Sequence, residues 1–301
     1  MEEACRVIGI DIGNSGLRIA ELEPSTKKIG RRQRITWRHA SAASSDNQES
    51  NTASSTHPAT EPVEPRFAPD SEEWLGVIDQ FLMTDATNQC SCTSGAAPCK
   101  WLVSSVRRDA MVVLNDFATA RAAKGELHAW KLVTRHDLLL NVDVLEPDRV
   151  GIDRLLAAAA AADLFSQRPL IVMQVGSAMT VDLVTEPNTF AGGAILPGVP
   201  MMLRLLGQAA DMLPEIDADE LTDLPALPGR NTEQAMRCGT ASALIGGAQH
   251  LVDRYRQLHG EETPVILSGG DGNRLSVHIP GPVHTVPELV LQGLMRIQAG
   301  R

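Results

Sequence analysis

Apolar and polar positions alternate in two separate parts of the chain, and the same pattern surrounds both. Near the start, Ile8-Gly9-Ile10-Asp11-Ile12-Gly13-Asn14-Ser15 runs into Leu17-Arg18-Ile19-Ala20-Glu21-Leu22. Past the midpoint, Ile171-Val172-Met173-Gln174-Val175-Gly176-Ser177 runs into Thr180-Val181-Asp182-Leu183-Val184. Each copy predicts a strand, a glycine turn carrying a small hydroxyl or amide residue, and a second strand. Overlaid, Gly13 falls on Gly176 and Asp11 on Gln174. Such turns expose successive backbone N–H groups that suit phosphate oxygens. Two of them facing each other would hold a nucleotide between two similar halves.

The remaining pattern supports that division. Residues 6–38 predict three strands, and a helix follows over 71–83, with Ser71 as its cap and Glu72 and Glu73 in its first turn. A strand is expected at 100–104, a helix at 109–123 and a strand at 128–133. The second half predicts a helix over 151–165, the repeated strands from Leu170, and a third strand over 190–196. Helices follow Pro197-Gly198 and span 231–258. A final strand at Val265-Ile266-Leu267 enters Ser268-Gly269-Gly270, and a terminal helix covers 287–298. Between the first strands and the first helix, residues 41–69 are rich in Ser, Thr, Ala, Asn, Glu and Pro. That composition buries too little apolar surface to offset its ordering entropy, and it reads as a disordered insertion.

Composition narrows the classes. Hydrophobic residues at 43% and charged residues at 21% fit a folded enzyme. A net charge of −10 with no basic stripe makes nucleic acid a poor partner. No apolar run is long enough to span a membrane, and the acidic Met1-Glu2-Glu3-Ala4 start does not read as a secretory signal. A cytoplasmic setting is expected. Cys90, Cys92 and Cys99 cluster, but a zinc site would need a fourth ligand and no histidine is near. Thiols on a loop are the simpler reading.

Four constellations carry candidate chemistry. Asp11, at a strand end beside a flexible glycine turn, could anchor magnesium next to a triphosphate, although Asn and Gly also favour an ordinary hairpin turn. Gly151-Ile152-Asp153-Arg154 precedes an alanine-rich helix. Asp153 there is either a helix cap or a carboxylate able to accept a hydroxyl proton, with Arg154 able to grip a carboxylate or phosphate. Gly192-Gly193-Ala194-Ile195-Leu196-Pro197-Gly198 and Gly229-Arg230-Asn231-Thr232 combine turns with a helix start. Gly269 and Gly270 follow an apolar strand, where a flat adenosine could lie on bare backbone. There is no Gly-x-x-x-x-Gly-Lys-Ser/Thr loop.

In order and spacing these segments, with Ser104-Ser105-Val106, Leu213-Pro214 and Leu289-Val290-Leu291-Gln292-Gly293-Leu294, resemble type III pantothenate kinase. The resemblance implies an α/β fold of the two-lobed, actin-like ATPase type with duplicated ribonuclease H-like domains, here 1–140 and 141–301, and a homodimer. It implies ATP-dependent phosphorylation of pantothenate to 4′-phosphopantothenate. It further implies that Asp11, Ile12, Gly13, Asn14, Ser15, Gly16, Leu17 and Arg18 form the ATP phosphate loop, and that Ser177, Gly269 and Gly270 contact ATP. By the same resemblance Gly151, Ile152, Asp153, Arg154 and Thr232 bind pantothenate. Asp153 is the proton acceptor, Asp11 the magnesium anchor, and position 174 the site of a monovalent cation, potassium or ammonium.

The chain departs from the family at three places. Gln174 stands where the family has an aspartate and keeps an oxygen ligand without its charge. Arg107-Arg108 replaces a Val-Pro pair. Leu145-Glu146-Pro147-Asp148 lacks the aromatic residue expected upstream of Gly151. A related alcohol kinase, or a catalytically weakened or regulatory member of the family, is the alternative reading. Retention of both Asp11 and Asp153 argues for catalysis.

Overall fold

The computed structural model of the chain describes residues 6–37, 71–83, 99–216 and 227–299. The 41–69 segment, Cys90 and Cys92 lie outside them. In chain order the elements are β1 (Arg6–Ile12), β2 (Gly16–Glu23), β3 (Lys28–Thr36), α1 (Ser71–Met83), β4 (Cys99–Ser105), α2 (Arg108–Ala123) and β5 (Ala129–Leu132). They continue with β6 (Asn141–Val142), α3 (Ile152–Leu164), β7 (Leu170–Val175), β8 (Ala178–Thr185), β9 (Thr189–Pro197) and α4 (Val199–Ala209). The last are α5 (Thr232–His259), β10 (Val265–Ser268), α6 (Gly272–Ser276), β11 (Val283–Thr285) and α7 (Leu289–Ala299).

Two sheets result, and the duplication extends through both. The first has the order β3-β2-β1-β4-β5. The second reads β9-β8-β7-β10-β11 with β6 added beyond β9. In each, the first three strands form an antiparallel meander and the last two run parallel to the first strand. This is one five-stranded topology used twice, the two-lobed actin-like arrangement.

Packing follows from which faces are apolar. Trp74, Ile78 and Phe81 of α1 and Leu114 of α2 bury against Ile8, Ile10, Trp101 and Val103 of the first sheet. Leu203 of α4 and Leu244 and Ala248 of α5 bury against Met173, Val181 and Leu267 of the second. Between the sheets, α3 and α7 form a shared layer. Leu155, Leu156, Ala157, Ala158, Ala160 and Ala161 on α3 meet Leu291, Leu294 and Met295 on α7, with Ala20 and Leu102 on one side and Val172 and Ile266 on the other. A helix apolar on nearly every side has to be buried, and small alanines let neighbours come close.

Some expectations need correction. Val265–Leu267 is not the final strand, because β11 pairs beyond it in parallel. Neither β11 nor β6 stands out in the sequence, being three and two residues long. Cys99 is not on a loop: it opens β4 and is buried.

Candidate active site in the cleft between the two hairpin turns

The two glycine turns meet. The Ser15 hydroxyl, in the β1–β2 turn, contacts the Ser177 hydroxyl, in the β7–β8 turn. The turns differ in detail. Gly13 N–H donates to the Gly16 carbonyl at 2.8 Å, whereas Gly176 N–H donates to the Ala178 carbonyl at 3.1 Å, because the second turn is one residue shorter. Trp37, just past β3, pins the first turn twice. Its backbone N–H donates to the Ser15 carbonyl at 2.9 Å and its indole Nε1–H to the Gly13 carbonyl at 3.0 Å. Trp74 packs edge-on against Trp37 with ring centroids 6.1 Å apart, so α1 backs the turn. A lone tryptophan in the sequence carries no signal of its partner.

Asp11 is 2% exposed. Register explains how a buried carboxylate is tolerated there. It lies opposite Arg18 on β2 and opposite Ser104 on β4, so three adjacent strands bring all three side chains together. Ser104 Oγ donates to Asp11 Oδ1 at 2.8 Å, and Arg18 Nη2 stands 3.0 Å from Oδ2. Oδ2 is buried and accepts no hydrogen bond. A buried carboxylate oxygen met only by the Arg18 guanidinium, beside a glycine turn, fits a divalent cation arriving with a triphosphate. Among the described residues no group of three His, Cys, Asp or Glu side chains could hold a metal, so phosphate oxygens would have to supply most of its shell. Arg18 holds its proton more strongly than usual, Asp11 chiefly causing this, with Glu288 and Asp153 adding to it against burial.

Asp153 lies in the first turn of α3, beside the same cluster. Its Oδ1 accepts the Arg154 backbone N–H at 2.9 Å. Gly151 makes room for it: a Cβ there would lie 2.5 Å from Oδ1. Burial, and then the negative charge of Asp11, push the Asp153 carboxyl above the usual aspartate range, while the Arg154 N–H and the charges of Arg154 and Arg18 pull the other way. A carboxylate so placed is a stronger proton acceptor. Between the unfolded aspartate value and this raised one the folded carboxyl keeps a proton that the unfolded chain releases, so its contribution to stability declines as pH rises through that window.

Arg154 grips a carboxylate, as its residue type allows, but that carboxylate belongs to the chain. Its Nε lies 3.2 Å from both oxygens of Asp182, and Nη2 bonds Oδ1. Asp182 is fully buried on β8, so this pair fixes the guanidinium at the cleft wall. The sequence motif contained Asp182 without indicating its partner; two residues 28 apart become neighbours only through packing of α3 on the sheet. Ile152 sits beside Asp153 and packs on the central core.

Gln174 occupies the register position in the second sheet that Asp11 holds in the first, opposite Thr180 and Ser268. Its Nε2–H reaches the Asp153 carbonyl at 3.5 Å. Gln174 offers an amide oxygen but no charge, so a monovalent cation held at this position would have a neutral ligand where the first sheet has a carboxylate. Gly269 has φ 96°, and a Cβ would overlap the Val175 carbonyl oxygen. It is therefore glycine for local reasons, while Gly270 presents exposed backbone with Arg34 of β3 opposite. Thr232 opens α5 and is exposed, and Asn231 is the cap, its Oδ1 accepting the Gln234 N–H at 2.8 Å. Arg107 pairs with Asp109 at the start of α2.

The sequence profile of the type III pantothenate kinase family matches residues 71–254. A type III pantothenate kinase of Rhodopirellula baltica is 34% identical over 232 residues, covering 74% of this chain and 82% of that protein. One of Gluconobacter oxydans is 37% identical over 250 residues, covering 77% and 87%. A solved structure from Sinorhizobium meliloti, assigned as a 2-dehydro-3-deoxygalactonokinase, superposes with a TM-score of 0.52 at 14% identity and covers 98% of this chain and 96% of that one. It shares the fold.

Replacing Trp37 with Phe keeps the ring against Trp74 and removes one hydrogen bond to the first turn. We expect a stability loss of about 1 kcal/mol by urea unfolding, and weaker binding of an ATP analogue by calorimetry. Unchanged analogue affinity would show that Trp37 does not hold the turn in its binding conformation.

Proposed function

The chain belongs to the type III pantothenate kinase family, and from that premise and the cleft geometry we propose that it transfers the γ-phosphoryl group of ATP to pantothenate, the first step of coenzyme A synthesis. The observation that carries this most directly is Asp153, raised in basicity by burial and by Asp11, at the start of a helix packed against β4 of one sheet and β7 and β8 of the other. Residues 1–140 and 141–301 are taken as the two lobes, with ATP phosphates between the Ser15 and Ser177 turns and adenosine over Gly269 and Gly270.

Asp153 accepts the proton of the primary hydroxyl of pantothenate as its oxygen bonds to the γ-phosphorus and the bond to the bridging oxygen breaks, releasing ADP. Phosphoryl transfer asks the protein mainly for positioning and charge balance. Backbone N–H groups of the turn from Ile12 to Leu17 orient the phosphates, and Arg18 places a positive charge beside them. Arg154, steadied by Asp182, presents its remaining donors to the substrate. Gly151 and Thr232 complete the pantothenate contacts. Magnesium bound with ATP, held through Asp11 Oδ2, would supply charge neutralisation for the phosphates.

No helix of the described residues is long and apolar enough to cross a membrane, and the reading places the enzyme in the cytoplasm. A homodimer is also part of it, supported by the exposed apolar side chains Met201, Leu205 and Leu206 on α4. Light scattering is expected to give twice the chain mass; a monomer at micromolar concentration would remove the dimer.

Two activity measurements test the reading. Asp153→Asn should lower kcat by about 10²- to 10⁴-fold in coupled ADP release with pantothenate, with folding intact by circular dichroism. The wild-type rate should fall on acidification at a pH above the ordinary aspartate value, because the base works only when deprotonated. Full activity of Asp153→Asn would remove the proposed base. Separately, Gln174→Asp should make the rate respond to potassium more strongly than in the wild type. An identical potassium response in both proteins would contradict the account of position 174.

A further inference from the structure

Glu288 has no part in the reaction outlined above, yet its geometry points at it. It lies between β11 and α7, and its backbone is left-handed at φ 58°. A residue with a Cβ adopts that conformation at a cost and keeps it only where the surroundings fix it. Here two contacts fix them: Val286 N–H bonds the Leu267 carbonyl at 2.8 Å, and Leu289 N–H reaches Ser268 Oγ at 3.4 Å. The side chain is thereby aimed at the cleft. Its Oε2 is buried and accepts no hydrogen bond, and Arg18 Nη1 stands 3.7 Å away.

Arg18 is thus suspended between two carboxylates. Nη2 faces Asp11 on its own sheet, and Nη1 faces Glu288 from the other half. The guanidinium is about a third exposed, so it borders the open cleft. Asp11 holds one end of it, with Nη2 already 3.0 Å from Oδ2, and by itself would leave the other end free to fold onto β1, removing positive charge from the phosphate path. A second carboxylate on the opposite wall balances that pull, and charges so close in a half-buried site are weakly screened. We propose that Glu288 is a positioning residue: it keeps the Arg18 guanidinium out over the cleft, where an incoming phosphate meets it, and makes that placement depend on how the two halves sit together. This rests on the phosphate-loop reading of Asp11 to Arg18.

The test compares wild type, Glu288→Gln, Arg18→Gln, the double variant and Glu288→Asp. Two readouts are taken: kcat and KM for pantothenate, and calorimetric affinity for a non-hydrolysable ATP analogue, with melting temperatures recorded throughout. Glu288→Gln should lower both kcat and analogue affinity about tenfold while KM for pantothenate changes less than about twofold. The double variant should be no worse than Arg18→Gln, since the glutamate acts through the arginine, and Glu288→Asp should recover most of the loss. Multiplying losses in the double variant, wild-type behaviour of Glu288→Gln, or a loss that follows melting temperature and is not recovered by aspartate would each overturn the proposal. A wild-type protein that binds the analogue but leaves pantothenate unphosphorylated would defeat the assigned reaction instead, and the affinity series would still decide the role of Glu288.

Discussion

Burying one carboxylate at the crossing of three strands sets the terms for everything around it. Asp11 cannot remain charged in that position without compensation, and only two of its neighbours in register can provide it, Ser104 on one side and Arg18 on the other. Those two satisfy one oxygen by a hydrogen bond and face the second with an ion pair. What remains is a buried negative charge with an incompletely satisfied oxygen, costly in isolation and useful beside a nucleotide. Burial first, and then this same charge, make Asp153 a better proton acceptor. The proposed cation anchor and the proposed proton acceptor are therefore coupled by one electrostatic field.

The second half repeats this plan with the charge removed. Gln174, Thr180 and Ser268 take the register positions of Asp11, Arg18 and Ser104. With neither carboxylate nor arginine at these three positions, this centre needs no counter-ion, and its amide turns to the backbone of Asp153, the proposed proton acceptor. Duplication supplies two matching turns; divergence at one triad of positions leaves a charged centre in the first sheet and a neutral one at the equivalent point of the second. The shared α3–α7 layer, packed on both sheets, joins them into one cleft.

Much of this was legible from the chain. The paired strand–turn–strand patterns and the helices at 71–83 and after Gly151 lie where alternation and helical spacing of apolar residues indicate, because each depends on local periodicity. The phosphate turns could be matched to each other for the same reason. β6 and β11 could not, since two or three residues give no period to detect. Nor could the pairing of Arg154 with Asp182, the clasp of Trp37 on the first turn, or the approach of Glu288 to Arg18. Those contacts join residues far apart in sequence, and the residue types alone admit many partners. Arg154 illustrates the limit: its ability to hold a carboxylate was readable, but not that Asp182 takes it first.

The central claim is that pantothenate meets Asp153 with the triphosphate held between the Ser15 and Ser177 turns. A crystal structure with pantothenate and a non-hydrolysable ATP analogue measures it directly. The account predicts the primary hydroxyl within about 3 Å of an Asp153 carboxylate oxygen, in line with the terminal phosphate, and the Ser15–Ser177 contact opened by the phosphates. Phosphates bound away from both turns, or a hydroxyl beyond reach of Asp153, would contradict it.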